Sequence, residues 1–274
     1  MDMIGIIFDM DGVVYRGNSP IDGARETIEF VREAGIPFVF LTNNSTRTPE
    51  MYRQKLLSLG IDVPAERIVT SGLAARIYME KHFNPGRIFV IGGEGLEIEM
   101  ERLGWGVVSL EECRTGGWKE IEYVVVGLDP GLTYEKLKYG TLAIRNGAGF
   151  IGTNPDTTYP AEEGLYPGAG AIIAALKAST GEEPLIIGKP NEPAYEVARE
   201  KLGPVDEIWM VGDRLDTDIA FAKRFGMKAI MVLTGVNDLE DIKRSDVRPD
   251  LVLPSIRELK DYLSTVLGDA DENQ

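Results

Sequence analysis

The sequence predicts an α/β protein: a doubly wound parallel sheet core with a second α/β unit inserted into it. Three observations lead there. Short apolar β-type runs alternate with longer amphipathic segments along the chain, the pattern of parallel strands covered by helices on both faces. Four of the apolar runs stop at an acid, a hydroxyl or a Gly-Lys pair, and in such sheets ligands bind beyond the carboxyl ends of the strands. The middle of the chain carries its own strand–helix alternation, bounded by loops rich in Gly and Pro.

Ile4-Gly5-Ile6-Ile7-Phe8-Asp9 reads as a buried strand ending in an acid. Ala24 to Ala34 has helical spacing, with Ile28, Val31 and Ala34 on one side and Gly35 as its stop. Phe38 to Thr42 is a second buried strand. Thr48-Pro49-Glu50 supplies an N-cap, a first-turn proline and a first-turn acid for a helix ending at Gly60. Ser71 to His82 is a third helix. The middle offers strands at Arg87 to Ile91, Tyr123 to Val126 and Gly149 to Ile151, with helices at Glu94 to Leu103 and Tyr134 to Arg145. Loops follow at Gly116-Gly117 and from Thr153 to Gly170. Pro184 to Gly188 reads as a strand, Glu192 to Leu202 as a helix, Ile208 to Asp213 as a strand, Thr217 to Phe225 as a helix and Lys228 to Leu233 as a strand. Gly268 to Gln274 reads as a frayed tail. The expected division is 1–79 plus 182–274 for the core and 80–181 for the insert.

The chain has 274 residues, 43% hydrophobic and 27% charged, enough for one large or two modest domains. Its net charge of -15 repels nucleic acid and anionic membranes, so neither is an expected partner. An anionic substrate then needs a local reversal of field, which a bound divalent cation provides. One cysteine, Cys113, leaves no intramolecular disulfide and suits a reducing cytoplasm. One histidine, His82, excludes His-triad catalysis and poly-His zinc sites. Met1-Asp2-Met3 lacks the basic start and apolar stretch of a signal peptide. No run of about 18 apolar residues spans a membrane.

The strand ends carry the chemistry. They give Asp9-Met10-Asp11-Gly12, Thr42-Asn43-Asn44-Ser45, Gly188-Lys189-Pro190 and Gly212-Asp213 through Asp218. Asp9 and Asp11, two apart in extended chain, point the same way and repel. Magnesium answers such a pair, because it prefers oxygen ligands, and Asp213 completes the set. Lys189, held between Gly and Pro, reaches inward as a point charge. Thr42 and Asn43 offer donors suited to phosphate oxygens. Any one of these residues alone would read as a loop start or a helix cap; together at one sheet edge they read as a site. Gly92-Gly93-Glu94-Gly95 lacks the full phosphate-loop patterns and reads as a turn. His82 is expected to answer its helix terminus. Cys113 has no nearby histidine, so it is not expected to be a nucleophile.

Asp9-Met10-Asp11-Gly12-Val13-Val14, Thr42, Lys189 and Gly212-Asp213 with Asp218 resemble, in order, the four motifs of the haloacid dehalogenase superfamily. Leu41-Thr42-Asn43-Asn44-Ser45 is similar to the p-nitrophenyl phosphatase-like branch, which contains phosphoglycolate and pyridoxal-phosphate phosphatases and carries a large α/β cap between the second and third motifs. The resemblance implies a Rossmann-like core with an inserted cap and a magnesium-dependent phosphatase of small phosphate monoesters. It implies that Asp9 is the nucleophile, forming an aspartyl phosphate, and Asp11 the general acid and base. Magnesium would be held by the Asp9 side chain, the Asp11 carbonyl and Asp213, with Asp218 supporting its waters. Thr42, Asn43 and Lys189 would hold phosphate. Asn154, Asp156 and Tyr159, in a loop similar to the branch's cap-to-core loop, would touch substrate. The branch often forms dimers through its caps, so the resemblance allows a homodimer, while the residues themselves leave the oligomeric state open.

Compatible substrates include sugar phosphates, phosphoglycolate, glycerol phosphate, pyridoxal phosphate, nucleotides and p-nitrophenyl phosphate. Three other readings stay open on the sequence. A phosphotransferase shares the first chemical half. A signalling receiver also uses an acid cluster, a hydroxyl and a lysine, although receivers are single domains without an insert. A phosphate-binding protein without turnover could share the fold.

Overall fold

The computed structural model describes residues 3–161 and 163–271. Its strands are β1 (Ile4–Phe8), β2 (Tyr15–Arg16), β3 (Ser19–Pro20), β4 (Phe38–Thr42), β5 (Ile68–Thr70), β6 (Ile88–Ile91), β7 (Tyr123–Val126), β8 (Gly149–Gly152), β9 (Thr158–Ala161), β10 (Gly164–Pro167), β11 (Leu185–Ile186), β12 (Glu207–Gly212), β13 (Lys228–Val232) and β14 (Leu251–Leu253). Its helices are α1 (Ala24–Glu33), α2 (Pro49–Ser58), α3 (Ser71–His82), α4 (Glu94–Leu103), α5 (Leu110–Arg114), α6 (Tyr134–Arg145), α7 (Ala169–Thr180), α8 (Glu192–Leu202), α9 (Ala220–Arg224), α10 (Leu239–Arg244) and α11 (Arg257–Asp271). The chain forms two compact units. One comprises Met1–Thr42, Tyr52–Val69 and Ala198–Gln274, the other Asn43–Met51 and Thr70–Val197.

The first unit is built on a six-stranded sheet ordered β14-β13-β12-β1-β4-β5. The pairings of β1 with β12 and β4, of β12 with β13 and of β13 with β14 are all parallel. From β1 the chain adds β4 and β5 on one side and later β12, β13 and β14 on the other. The order therefore reverses between β1 and β12, the place where open α/β sheets leave a crevice at the strands' carboxyl ends. Burial explains the strand sequences: β4 is buried at every residue and β1 at all but Ile4. Phe8, Phe38 and Phe40 pack with ring centroids 5.7 to 6.2 Å apart. Ile28 and Val31 of α1 and Leu259 and Leu263 of α11 join the same core. Helix α1 stops where Gly35 takes φ 69°, a left-handed conformation that glycine adopts without strain. Ala34 caps the helix and is exposed, not on the buried stripe.

The second unit has its own parallel sheet, ordered β11-β8-β7-β6, and an antiparallel hairpin, β9-β10. Phe89, Ile91, Val124, Val126, Phe150 and Leu176 lie in its separate core. These units differ from the 80–181 insert read from sequence. Helix α3 packs along α4, β11 pairs with β8, and the Gly95 N–H donates to the Thr46 carbonyl at 3.0 Å. Those contacts lie within the second unit, which includes 43–51 and runs from Thr70 to Val197.

Four expectations need correction. The strand before Lys189 does not join the sheet of β1. It is the two-residue β11, and it pairs with β8. Part of the loop expected from Thr153 to Gly170 is the antiparallel pair β9 and β10, with Tyr159 opposite Tyr166. Leu215–Ile219 is a π-helical turn ahead of α9 where a helix from Thr217 was expected. The expected tail from Gly268 is helical through Asp271, because Val266 and Leu267 one turn earlier pack on the core. Residues 1, 2 and 272–274 of the expected termini lie outside the described residues.

Candidate active site

In the first unit, β1 and β12 run side by side with Phe8 opposite Val211. The Asp9 N–H donates to the Val211 carbonyl at 2.9 Å, so Asp9 and Asp213 leave adjacent strands at the same edge. The π-helical turn after β12 folds Asp218 back beneath them. Its Oδ2 accepts from the Asp213 N–H at 3.2 Å and the Arg214 N–H at 3.1 Å. Carboxylate oxygens of Asp9, Asp213 and Asp218 all lie within 4.8 Å of one another, and all three residues are buried. Asp213 Oδ2 also accepts from the Val236 N–H at 2.6 Å. Backbone passes so close that a Cβ on Gly235 would stand 1.8 Å from that oxygen.

The Asp11 carboxyl is not one of the three grouped carboxylates. Asp11 is solvent-accessible at its rim, yet the protein around it desolvates the carboxyl. The charges of Lys55 and Arg16 and the Gly12 N–H offset this only in part, so its pKa stays above the ordinary carboxylate value. Lys55 lies 3.5 Å over the ring of buried Tyr15, next to the same turn. Thr42 is the buried last residue of β4, two beyond Phe40, which pairs with Phe8. It therefore ends at the same sheet edge as Asp9.

The second unit collects another group. Asn43 Nδ2 donates to the two Asp156 carboxylate oxygens at 3.2 and 3.3 Å and to the Lys189 carbonyl at 3.1 Å. Asn154 Nδ2 donates to the Asn43 carbonyl at 2.7 Å, and Asn154 Oδ1 accepts from the Asp156 N–H at 3.1 Å. Lys189 is 1% exposed, although it carries a long cationic side chain; lysines are buried to that extent where their charge is answered. Its bond to Pro190 is cis. Tyr159 stands apart from this network on β9, edge-on to Tyr166 with centroids 5.8 Å apart. His82 pairs with Glu196 at 2.9 Å rather than with its helix terminus. Gly92 and Gly93 form the turn between β6 and α4.

A family model for haloacid dehalogenase-like hydrolases matches residues 6–106, and a second HAD-hydrolase-like model matches residues 186–259. An acid sugar phosphatase from Staphylococcus aureus is 41% identical over 92% of this chain and 95% of its own length. The chain belongs to the haloacid dehalogenase-like hydrolases. Two solved structures with the same fold are a 4-nitrophenylphosphatase from Thermotoga maritima and a glycerol phosphate phosphatase from Mycobacterium tuberculosis in complex with magnesium. The first is 40% identical with a TM-score of 0.86, over 95% of this chain and 97% of that one. The second is 34% identical with a TM-score of 0.84, over 94% of this chain and 76% of that one.

The donor set of this hydrolase fits a hard divalent cation. Three carboxylates gather only oxygen, the donor a hard cation such as magnesium prefers, within 4.8 Å of one another. Sequence reasoning missed Thr234 to Asn237 in this neighbourhood. Thr234 Oγ1 donates to the Gly12 carbonyl at 2.6 Å, the Val236 N–H serves Asp213, and Asn237 Oδ1 accepts from the Leu215 N–H at 2.9 Å. The signal was available, since Thr234-Gly235 follows an apolar strand as Thr42 ends one. Among the described residues, no helix is long and apolar enough to cross a membrane.

Proposed function

We propose that this hydrolase is a magnesium-dependent phosphatase of small phosphate monoesters that works through a phosphorylated Asp9. The observation that carries the reading is the buried group formed by Asp9, Asp213 and Asp218 at the sheet's switch point. Three clustered carboxylates repel, and a cation binding a dianionic substrate is the simplest purpose for them. The relatives, an acid sugar phosphatase, a 4-nitrophenylphosphatase and a glycerol phosphate phosphatase, support the same class.

In this mechanism an Asp9 oxygen attacks phosphorus while the ester P–O bond breaks. Asp11, whose raised pKa favours the protonated form, gives its proton to the departing alkoxide. Water then attacks the aspartyl phosphate, Asp11 takes the water's proton, and inorganic phosphate leaves. Thr42 and Asn43 donate to phosphate oxygens, and Lys189 offsets their charge. Asp9, Asp213 and the Asp11 carbonyl would hold magnesium, with Asp218 supporting its waters, and the ion would supply positive charge against the phosphate.

The inserted residues act as a cap that reads the leaving group, with Asn154, Asp156 and Tyr159 toward substrate. The partner is a small phosphorylated metabolite, with sugar phosphates first in order. A cytoplasmic homodimer joined through its caps completes the reading. Phosphate release over a panel of sugar phosphates, phosphoglycolate, glycerol phosphate, pyridoxal phosphate and nucleotides, with magnesium and with chelator, tests it. Turnover should require magnesium and vanish in Asp9→Asn. Full activity with the metal chelated, or in that variant, overturns the mechanism.

A further inference from the structure

A cavity of about 620 Å³ opens in the first unit, lined by residues at the start of β4, in the turn leading into β5 and at the end of α8. It lies at the amino end of β4, whereas Thr42 marks the carboxyl end. Five residues of strand, about 17 Å of chain, separate the two. The cavity is therefore distinct from the carboxylate group.

Its charge runs against that of the molecule. Arg32, Arg67 and Lys201 line it against one carboxylate, Glu66, on a chain whose net charge is -15. None of the three cations is held by a carboxylate. Arg32 reaches only the Asp62 carbonyl, at 3.4 Å. Arg67 donates to the Phe38 carbonyl at 2.8 Å and lies 4.9 Å over the Phe38 ring. The Lys201 side chain has no hydrogen bond or ion pair among the described residues. Elsewhere Arg76, Arg87, Arg102, Arg114 and Arg257 all meet carboxylates. Pro37 and Pro64 add apolar wall. Prolines and a guanidinium plane suit a flat ring, and unneutralised cations suit an anion. The volume falls within the range of about 300 to 1,000 Å³ typical of small-molecule sites.

We propose that this cavity binds a planar aromatic anion, a ring system bearing a carboxylate or sulfonate, at a place remote from the phosphatase chemistry. The probe is 8-anilinonaphthalene-1-sulfonate, titrated onto the full chain with magnesium and excess inorganic phosphate present to occupy the carboxylate site. One equivalent should bind. At about 150 mM salt, where only close charges act, the affinity should fall about tenfold or more in Arg32→Glu/Lys201→Glu. It should hold in Lys243→Glu, a reversal on α10 outside the cavity. Lys201→Ala, which removes one exposed charge and keeps the fold, should weaken binding about threefold. Absence of stoichiometric binding, or equal affinity in wild type and both cavity variants, overturns the proposal. Neither result bears on the catalytic reading, which is measured by phosphate release.

Discussion

At the scale of single residues, the decisive feature is that Asp9, Asp213 and Asp218 are only 9%, 2% and 1% exposed, so solvent screens their repulsion poorly. A cation relieves it. Magnesium should therefore raise the melting temperature, by about 2.7 kcal/mol of stabilisation at a hundredfold excess over its Kd. Asp9→Asn should lose most of that rise while melting no lower than wild type in chelator. Asp11→Asn should behave in the opposite way: the magnesium shift persists, because its carboxyl stands outside the grouped carboxylates, while kcat falls about 10²- to 10⁴-fold. Thermal melts and phosphate release read the two, and equal magnesium shifts in wild type and Asp9→Asn would remove Asp9 from the metal site. Cys113 gives a pH prediction. Burial and the charge of Glu112 push its thiol up to about 11, whereas an unfolded thiol titrates at about 8.5. A raised folded pKa favours the folded state below the unfolded value and loses that contribution as pH climbs from about 8.5 to about 11. Alkylation by iodoacetamide at about pH 8.5 should accordingly be slow in the native protein and fast in denaturant; equal rates would refute the buried thiol. Asp9 and Asp213 were legible because each closes an apolar strand. The placement of the Asp218 carboxylate within the group was not, since it depends on a π-helical turn that no hydrophobic period announces.

At the scale of elements, α4 and the segment after Thr42 show where packing decides. Gly95 enters α4 against Arg47, and a Cβ there would stand 2.4 to 2.5 Å from Arg47 backbone atoms. Backbone cannot swing aside as a side-chain tip can. Gly95→Ala should cost about 1–3 kcal/mol, the usual penalty of overpacking, although alanine is the better helix former. Urea unfolding measures it, and a variant as stable as wild type would show that the segment yields. Glu99, on the same helix and fully buried, meets Arg76 and Arg102 at 2.8 Å each, so α4 is held by charge as well as by shape. Long elements such as α3, α4, α6 and α8 were legible to the residue, because each is a run of good helix formers between clear stops. Strand β11 was not. Two residues are too few to carry a period, and its choice of β8 as neighbour is a tertiary matter. That choice matters for Lys189, which follows a strand of the second sheet and not of the sheet that carries Asp9.

At the scale of the whole molecule, alternation made the α/β class legible, but it does not say which sheet each strand joins, as β11 shows by pairing with β8. Net charge is different, because it acts without regard to topology. At about 10 mM ionic strength the screening length is about 30 Å, so an approaching phosphate dianion meets the field of all -15 charges. At about 150 mM it shrinks to about 8 Å, and the dianion responds mainly to what lies close to the carboxylate group. Added salt should therefore raise kcat/KM for a phosphate dianion, by about two- to fivefold across that range, at constant free magnesium and pH. The same screening removes attraction for the cation, so magnesium affinity should fall over the same range. The two slopes have opposite signs and one cause. Steady-state kinetics and magnesium titration on a single preparation give both, and a kcat/KM that falls with salt would mean that positive charge at the carboxylate group steers substrate from beyond the screening length.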